Sequence, residues 1–232
     1  MKKAICILFV LFLFSFQSFS QIKPFRFGVK VAPNIAWISP DAETYKNDGP
    51  VMGFSWGFLA DITIADNYFV KTGFNIDYLN GKLEYPHSQN LGTDTFPTVG
   101  VNNRKYNLRY IEVPLTLKMR TNQFGKTAYF GEIGFGTSFN LRAKSQDGFI
   151  YNNGQSSVET KKDISDEITF MKETIILGAG IEYFVDQSTS LIFGLTYNNG
   201  ITNILKGENT IDPNIKQKGY LYNFQLSVGV MF

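Results

Sequence analysis

Alternation of apolar and polar residues runs through most of the chain, and a period of two is typical of β-strands with two different faces. The clearest case ends at Phe232, where Tyr222, Phe224 and Phe232 belong to one apolar face. Seven further segments alternate in the same way: 25–32, 53–64, 70–78, 110–119, 129–141, 175–185 and 191–197. Most are longer than ordinary globular strands and match a tilted bilayer crossing. The pattern predicts an all-β fold with eight membrane-crossing strands.

The connections between these strands alternate in length. The long ones are 38–51, 84–105, 142–168 and 206–219, and the short ones are 65–67, 121–127 and 186–189. Outer-membrane barrels have long extracellular loops and short periplasmic turns. We therefore expect an eight-stranded antiparallel transmembrane β-barrel, an up-and-down meander with its N-terminus on the periplasmic side.

The first residues have the features of a signal peptide. Lys2 and Lys3 precede an apolar stretch at 4–16 that is too short to span a bilayer. A small-x-small site then predicts cleavage between Ser20 and Gln21. We expect export to the cell outer membrane, with a signal peptide at 1–20 and one outer-membrane β-barrel domain at 21–232.

The charge balance excludes a basic footprint for nucleic acid. The chain has 22 Lys and Arg against 20 Asp and Glu, and removal of Lys2 and Lys3 would balance them. Its single cysteine, Cys6, lies in the predicted signal peptide, so the mature chain would contain no disulfide. We expect no nucleic-acid partner and no cofactor.

Alternation alone does not say which face points inward, so a secreted lipocalin-like barrel is the soluble alternative. The polar faces are mostly Gly, Ser, Thr and Asn, which suits a crowded interior better than a water-exposed surface. If these faces point inward, the lumen contains five basic and five acidic residues: Arg26, Lys30, Lys71, Lys118, Lys172, Asp61, Asp77, Glu112, Glu132 and Glu182. A barrel of eight strands has room only for side chains, so we predict a filling network of ion pairs. A proton or ion path is the alternative.

Candidate chemistry is sparse, and we expect no catalytic or metal site. The only histidine, His87, falls in a predicted loop, where a solvated side chain is the expected role. A lipid-modifying enzyme would need a histidine beside a serine or an acid. Asp163, Asp166 and Glu167 could bind calcium weakly, but their spacing matches no known loop.

The predicted loops contain aromatic and aliphatic residues among Asn, Gly and Ser: Tyr85, Phe96, Tyr106, Phe149, Ile150 and Tyr151. Such loops can form adaptable binding surfaces, although long loops are also often variable surface. We therefore predict a structural or surface-binding module without catalysis.

From Phe25 to Phe232 the chain resembles the PorT-like outer-membrane β-barrel family, porin-like small barrels common in Bacteroidetes. The resemblance rests on Phe232 and on the runs Phe27-Gly28-Val29-Lys30 and Tyr110-Ile111-Glu112-Val113-Pro114-Leu115. It implies an eight-stranded barrel, mostly without a defined activity, and one family member is linked to protein secretion. An accessory role in secretion or envelope assembly is thus the second prediction for function.

Two further expectations concern assembly. Tyr222, Phe224 and Phe232 resemble the aromatic last strand that the barrel-assembly machinery recognises in outer-membrane barrels. Partners would be outer-membrane lipid, that machinery during biogenesis, and an extracellular or secretion-system protein.

Because proline removes a ladder hydrogen bond, we expect a β-bulge at Pro114.

Overall fold

A computed structural model describes residues 25–90, 97–151 and 154–232. The predicted signal peptide and its cleavage residues, Ser20 and Gln21, lie outside the described residues. The described chain contains ten strands: β1 (Phe25–Pro40), β2 (Lys46–Asn47), β3 (Val51–Ala65), β4 (Tyr68–Gln89), β5 (Thr98–Arg120), β6 (Thr127–Tyr151), β7 (Gln155–Asp163), β8 (Met171–Phe184), β9 (Ser190–Gly200) and β10 (Gly219–Met231). One short 3-10 helix, Ser165–Glu167, follows β7.

Eight of these strands close into an antiparallel ring in the order β1, β3, β4, β5, β6, β8, β9 and β10, and β10 pairs with β1. The two other strands lie outside this ring order: β2 pairs with β4, and β7 pairs with β6. The all-β antiparallel barrel is confirmed, but the strand count needs correction, since the described sheet has two strands that alternation did not predict.

Outward-facing side chains form an apolar band around the barrel. Phe27 and Leu115 are 57% and 61% exposed, for example, whereas Arg26 and Thr116, their neighbours along the strands, are buried. A soluble barrel would instead bury its apolar face, because exposed apolar area of this extent is costly in water. The band therefore argues against the lipocalin-like alternative.

The two ends of the barrel differ. At the turn end, which contains Phe25 and Phe232, three short connections join β3 to β4, β5 to β6 and β8 to β9. Asn67 adopts a φ of 66° in the first, a left-handed conformation that asparagine tolerates better than most residues. At the opposite hairpin end, β4 to β7 extend well beyond the apolar band.

Because of that extension, two segments predicted as loops are mostly strand. Most of 84–105 is the paired end of β4 and β5, and most of 142–168 is the end of β6 paired with β7. The alternation continues there with its polarity reversed: Leu79, Leu83 and Tyr85 point inward, while Asn80 and Lys82 point outward. A search for one continuous apolar face therefore ends each strand too early.

The prediction of a β-bulge at Pro114 is wrong. Pro114 lies opposite Gly136 with the β5–β6 register unbroken. On its other side, pairing with β4 lapses between Lys71 and Asn75 and resumes in the same register, so the missing N–H falls in a gap of the ladder. The register shift of this region lies instead at Arg109/Tyr110, where Leu141 is the extra residue of β6.

Candidate functional site

The interior of the apolar band contains the charged residues that alternation assigned to the lumen. All ten predicted side chains belong to inward-facing positions: Arg26, Lys30, Asp61, Lys71, Asp77, Glu112, Lys118, Glu132, Lys172 and Glu182. Six of them form ion pairs. Arg26 and Glu182 approach to 2.5 Å, Lys118 and Asp61 to 2.7 Å, and Lys71 and Glu132 to 2.6 Å.

Glu182 is the centre of the largest group. Besides Arg26, it lies 3.6 Å from Lys118 and 3.3 Å from Arg120, and it accepts a hydrogen bond from Ser190 at 2.7 Å. Arg120 was not among the predicted lumen residues, because the predicted fourth strand ended one residue before it. One buried carboxylate thus faces three cations, of which Lys118 also pairs with Asp61.

The remaining four predicted charges use neutral partners or have no ion pair in the described part of the chain. Glu112 accepts hydrogen bonds from Asn75 at 3.1 Å and Ser138 at 3.5 Å. Lys172 donates to Thr174 at 2.9 Å, and Asp77 accepts from Gln225 at 3.5 Å. For Lys30 no such contact is recorded. The predicted network is therefore paired at the turn end and mostly amide- and hydroxyl-bonded towards the hairpin end.

An apolar plug lies above these charges, towards the hairpin end. Its buried members come from the ring strands and from the connections at 41–45, 164–168 and 201–218: Ala36, Ile38, Tyr45, Leu79, Leu83, Tyr85, Tyr106, Leu108, Tyr110, Ala143, Ile164, Ile168, Ile204, Leu205 and Leu221. Ile164 and Ile168 bracket the 3-10 helix. Close-packed side chains fill the barrel at this level, so the interior does not continue as an open channel.

A cup of about 350 Å³ opens above the plug at the hairpin end. It is bordered by charged, amide and hydroxyl groups together with aromatic rings: Tyr85, His87, Gln89, Asn102, Arg104, Asp147, Phe149, Ser157, Lys162, Glu167, Lys206, Gly207, Glu208, Thr210 and Gln217. The set combines donors, acceptors and both signs of charge in a concave space, as a binding site for a polar ligand requires.

Arg104 organises the floor of the cup. Its guanidinium donates to both carboxylate oxygens of Asp147, at 2.6 and 3.0 Å, and to Glu167. It also lies 6.0 Å from the ring centroid of Tyr85 and 5.9 Å from that of Tyr106. Burial raises the pKa of Tyr85 to about 12. The phenol thus stays neutral beside a fixed, charge-paired guanidinium.

His87 is not the solvated loop residue that the sequence predicted. It lies on β4, partly buried between Tyr85 and Phe149, whose ring centroids are 6.0 and 5.9 Å away. Its Nδ1 lies 2.9 Å from the Thr210 hydroxyl, which accepts a hydrogen bond from the Ser88 N–H at 2.8 Å. Burial first, and then the Arg104 charge, lowers the pKa of His87. A neutral imidazole fits this position, with Nδ1 accepting the threonine proton.

The other predicted loop residues divide between the two sides of the wall. Tyr85, Tyr106 and Phe149 point inward, whereas Ile150 is exposed and Tyr151 half-exposed; Phe96 lies outside the described residues. Among the residues considered for calcium, Glu167 binds Arg104, and Asp163 accepts the Ser165 N–H at 2.9 Å. In the described ranges, no group of three or more His, Cys, Asp or Glu side chains could hold a metal ion.

Of the residues predicted as an assembly signal, Tyr222 and Phe224 lie on the outward face of β10, and Phe232 directly follows its last residue. Phe232 exchanges backbone hydrogen bonds with Phe27, and the two rings are 5.8 Å apart. Near the other edge of the apolar band, Tyr222 and Phe224 each lie 5.8 Å from the Trp37 ring. Aromatic rings at both edges of the band match the girdles of outer-membrane barrels.

Comparison with known families finds one match over most of the chain. The family model described as "Outer membrane protein beta-barrel domain" matches residues 16–206. No curated protein matches the chain in sequence.

Several solved structures are similar to the chain at low identity. Neisserial surface protein A is 16% identical, with a TM-score of 0.46 over 90% of this chain and 96% of that one. Ail of Yersinia pestis is 12% identical, with a TM-score of 0.38 over 89% and 98%. OprG of Pseudomonas aeruginosa is 9% identical, with a TM-score of 0.46 over 89% and 95%. Likenesses of this size carry no argument about function.

Proposed function

Because the chain belongs to the family of outer membrane protein β-barrel domains, we propose that it is a surface-binding module whose ligand site is the cup. The hairpin end is then extracellular and the turn end periplasmic, since long hairpins face outward and short turns face the periplasm in such barrels. The cup opens to the outside, where a ligand can reach it without crossing the membrane.

The observation that carries this proposal is the cup's construction on a closed floor. Arg104, Asp147 and Glu167 are fixed by mutual hydrogen bonds, so their positions are set before a ligand arrives. Lys206, Thr210 and Gln217 border the same space from the connection between β9 and β10. A site that combines fixed charges with adaptable donors suits a small polar ligand, or the polar end of a larger one.

The apolar plug favours binding over conduction. A channel would need a continuous polar path through the barrel, but Leu79, Leu83 and Leu108 are almost fully buried at the level between the cup and the charged interior. We expect planar-bilayer recordings on the purified protein to show no steady open level. A large steady conductance would contradict the closed barrel.

The contacts of His87 give no support to a lipid-modifying enzyme. Its recorded hydrogen-bonding partner is Thr210, and no described carboxylate bonds to its second nitrogen to orient the ring as a general base. We therefore propose a protein without catalysis. A detected lipase activity that His87→Ala abolished would revive the enzyme alternative.

Several finer assignments stay predictions. The PorT-like branch and its secretion role rest on the resemblance, and a crosslinked periplasmic secretion component would favour them. Cleavage between Ser20 and Gln21 would be seen in the N-terminal sequence of the mature protein. Recognition by the barrel-assembly machinery would be seen as reduced membrane yield when Phe232 is deleted.

The cup can be tested with arrays of oligosaccharides and polar peptides probed by the purified, folded protein. We expect captured ligands to be lost when Lys206→Ala and Gln217→Ala are combined, because both side chains border the cup without joining the Arg104 network. Lys46→Ala is the matched control, an exposed lysine at the same end but not among the cup residues. Capture of no ligand by the unmodified protein, or equal loss in the control, would contradict the proposal.

A further inference from the structure

A cluster of basic residues lies on the outer wall of the barrel just beyond the apolar band. The cluster, called the basic patch below, contains one residue of β4, two of β5 and two of β6: Lys82, Lys105, Arg109, Arg142 and Lys144. Lys82 pairs in register with Lys105, and Arg109 pairs with Arg142. Like charges thus lie side by side across three neighbouring strands, an arrangement that costs free energy unless an anion compensates it.

Within the described residues, none of these five cations forms an ion pair. The acids nearby lie at the margins: Glu84 is the register partner of Lys46, and Asp163 is the register partner of Lys144. The Asp163 carboxylate accepts the Ser165 N–H at 2.9 Å. This contrasts with the charged interior of the same barrel, where six of the ten predicted charges are paired. Asp163 also attracts Lys144 and Arg142 from the margin, but one carboxylate does not balance five cations, so the basic patch keeps a net positive charge.

Arg109 is held at the centre of the basic patch. Its guanidinium carbon lies 4.7 Å from the centroid of the Tyr78 ring, which fixes the plane of the group. Its Nε is buried and has no hydrogen-bond partner in the described part of the chain. A buried donor without a partner is costly, and an anion that reached it would remove the penalty.

An open groove of about 830 Å³ runs past three residues of the basic patch. Asn80, Asn107 and Gln146 border it together with Arg109, Arg142 and Lys144. Guanidinium and amide groups at one concave surface are the donors that bind phosphate oxygens. The space is sufficient for the polar headgroup of a lipid.

The depth of the groove points to a lipid as the source of the anion. Leu141, 54% exposed on the apolar band, directly precedes Arg142, and Val113, 44% exposed, lies on the same strand as Arg109. The basic patch begins where the band ends, so its cations lie at the level of the headgroups. Basic pockets at this level bind anionic headgroups.

We propose that the basic patch binds the phosphate of an anionic lipid headgroup in the outer leaflet. The site is separate from the cup, which lies inside the barrel; it rests on the orientation given with the proposed function but not on ligand binding by the cup. It would give the barrel a preferred anionic neighbour on the β4–β6 side and compensate the repulsion between its paired cations.

The test uses the folded protein in nanodiscs of phosphatidylcholine that contain a trace of spin-labelled phosphatidylglycerol. The measurement is the immobilised fraction of the label relative to spin-labelled phosphatidylcholine. We expect preference for the anionic label to fall about a hundredfold in R109Q/R142Q/K144Q, since each of the three lost cations contributes about fivefold. R109K/R142K keeps the charge but not the bidentate geometry, and we expect an intermediate preference.

The matched control is K126Q/K216Q/K218Q, which removes three exposed lysines from other parts of the surface and should keep the preference. Heat-modifiable migration shows that each variant is folded, and R109K/R142K serves if the triple variant is not. No anionic preference in the unmodified protein, or an equal loss in the control, overturns the proposal. So does displacement of the label by inorganic phosphate alone, or binding of dextran sulfate in place of lipid, because the ligand would then be a solute.

Discussion

The same strands build two regions with opposite polarity. Within the apolar band, β5 exposes Val113, Leu115 and Leu117 and buries Glu112 and Lys118. In the extension at the hairpin end, it buries Tyr106 and Leu108 and directs Lys105 and Asn107 outward. The reversal takes place within a few residues of one uninterrupted strand. The medium outside the barrel thus decides which side chains go inside, because lipid takes the apolar face and water takes the polar one.

This contrast also shows what stabilises each region. Below the reversal, the interior depends on paired charges and buried amides, whose value lies in mutual compensation. Above it, the interior depends on apolar packing, as in a soluble protein. Substitutions chosen on the two sides should therefore fail for different reasons.

The largest effect is expected from Glu182→Gln. This change removes the carboxylate that Arg26, Lys118 and Arg120 share, and among the three only Lys118 keeps another carboxylate, that of Asp61. Removing one partner of a buried ion pair costs about 3 to 5 kcal/mol. Urea unfolding in lipid vesicles measures the free energy of unfolding, and Glu43→Gln, the same change on an exposed loop, should leave it unaltered.

The next effect is expected from Leu108→Ala in the apolar plug. Leu108 is 2% exposed, so truncation leaves a cavity and should cost about 2 to 5 kcal/mol. Leu117→Ala removes the same atoms from the outward face of the same strand, where lipid fills the space. A cost of Leu117→Ala equal to that of Leu108→Ala in the same unfolding assay would disprove the packed plug.

The cost of a charge on the outward face should show where the surroundings of the barrel change from lipid to water. Leu115→Arg puts a cation into the apolar band and should cost about 2 to 4 kcal/mol near the bilayer midplane. Asn103→Arg makes the same charge change on the outward face of the extension and should stay within about 0.5 kcal/mol. If both variants fold and unfold alike in vesicles, the membrane boundary has been placed wrongly.

The smallest effect is expected from pH. Because the pKa of His87 is lowered in the folded protein, the unfolded chain binds its proton first as the pH falls. The contribution of His87 to stability is full above its ordinary pKa of about 6.5 and is lost progressively below it. The hydrogen-exchange protection factors of the β4–β5 extension, which correct for the slower intrinsic exchange of amides in acid, should therefore fall slightly on acidification, and His87→Gln should remove that component. The exchange of β9 and β10 within the band supplies the internal reference.

The sequence predicted the crossing strands well, because alternation against lipid is strong: Phe25, Phe54 and Phe224 are all on the outward face that the period assigned. The prediction failed where the medium around the barrel wall changes from lipid to water. The inward apolar residues Leu79 and Leu83 have the opposite parity to Phe74 and Ile76, so the strand looked finished at Tyr78.

The cup could not be predicted from the sequence, and the reason is a different one. His87 and Thr210 are 123 positions apart, and Arg104 meets Glu167 across 63 positions. No local spacing records such pairings. The predicted loop aromatics were the one available signal, and Tyr85 and Phe149 do border the cup, but their inward direction depends on strand pairing that was not predicted.

The extra residue in β6 has a consequence for redesign. Because Leu141 and Arg142 are both exposed in succession, inward positions are even-numbered below this point and odd-numbered above it. Deleting Leu141 would leave Asn140 opposite Tyr110 and Arg142 opposite Arg109 in a regular ladder, with Ala143 and Phe149 still pointing inward. Deleting one residue beyond the bulge, such as Ala143, would instead act as a frameshift in three dimensions and drive Lys144 into the apolar plug. Any hairpin grafted onto this barrel must therefore be joined in the correct phase, which in β6 is counted from Arg142, the register partner of Arg109.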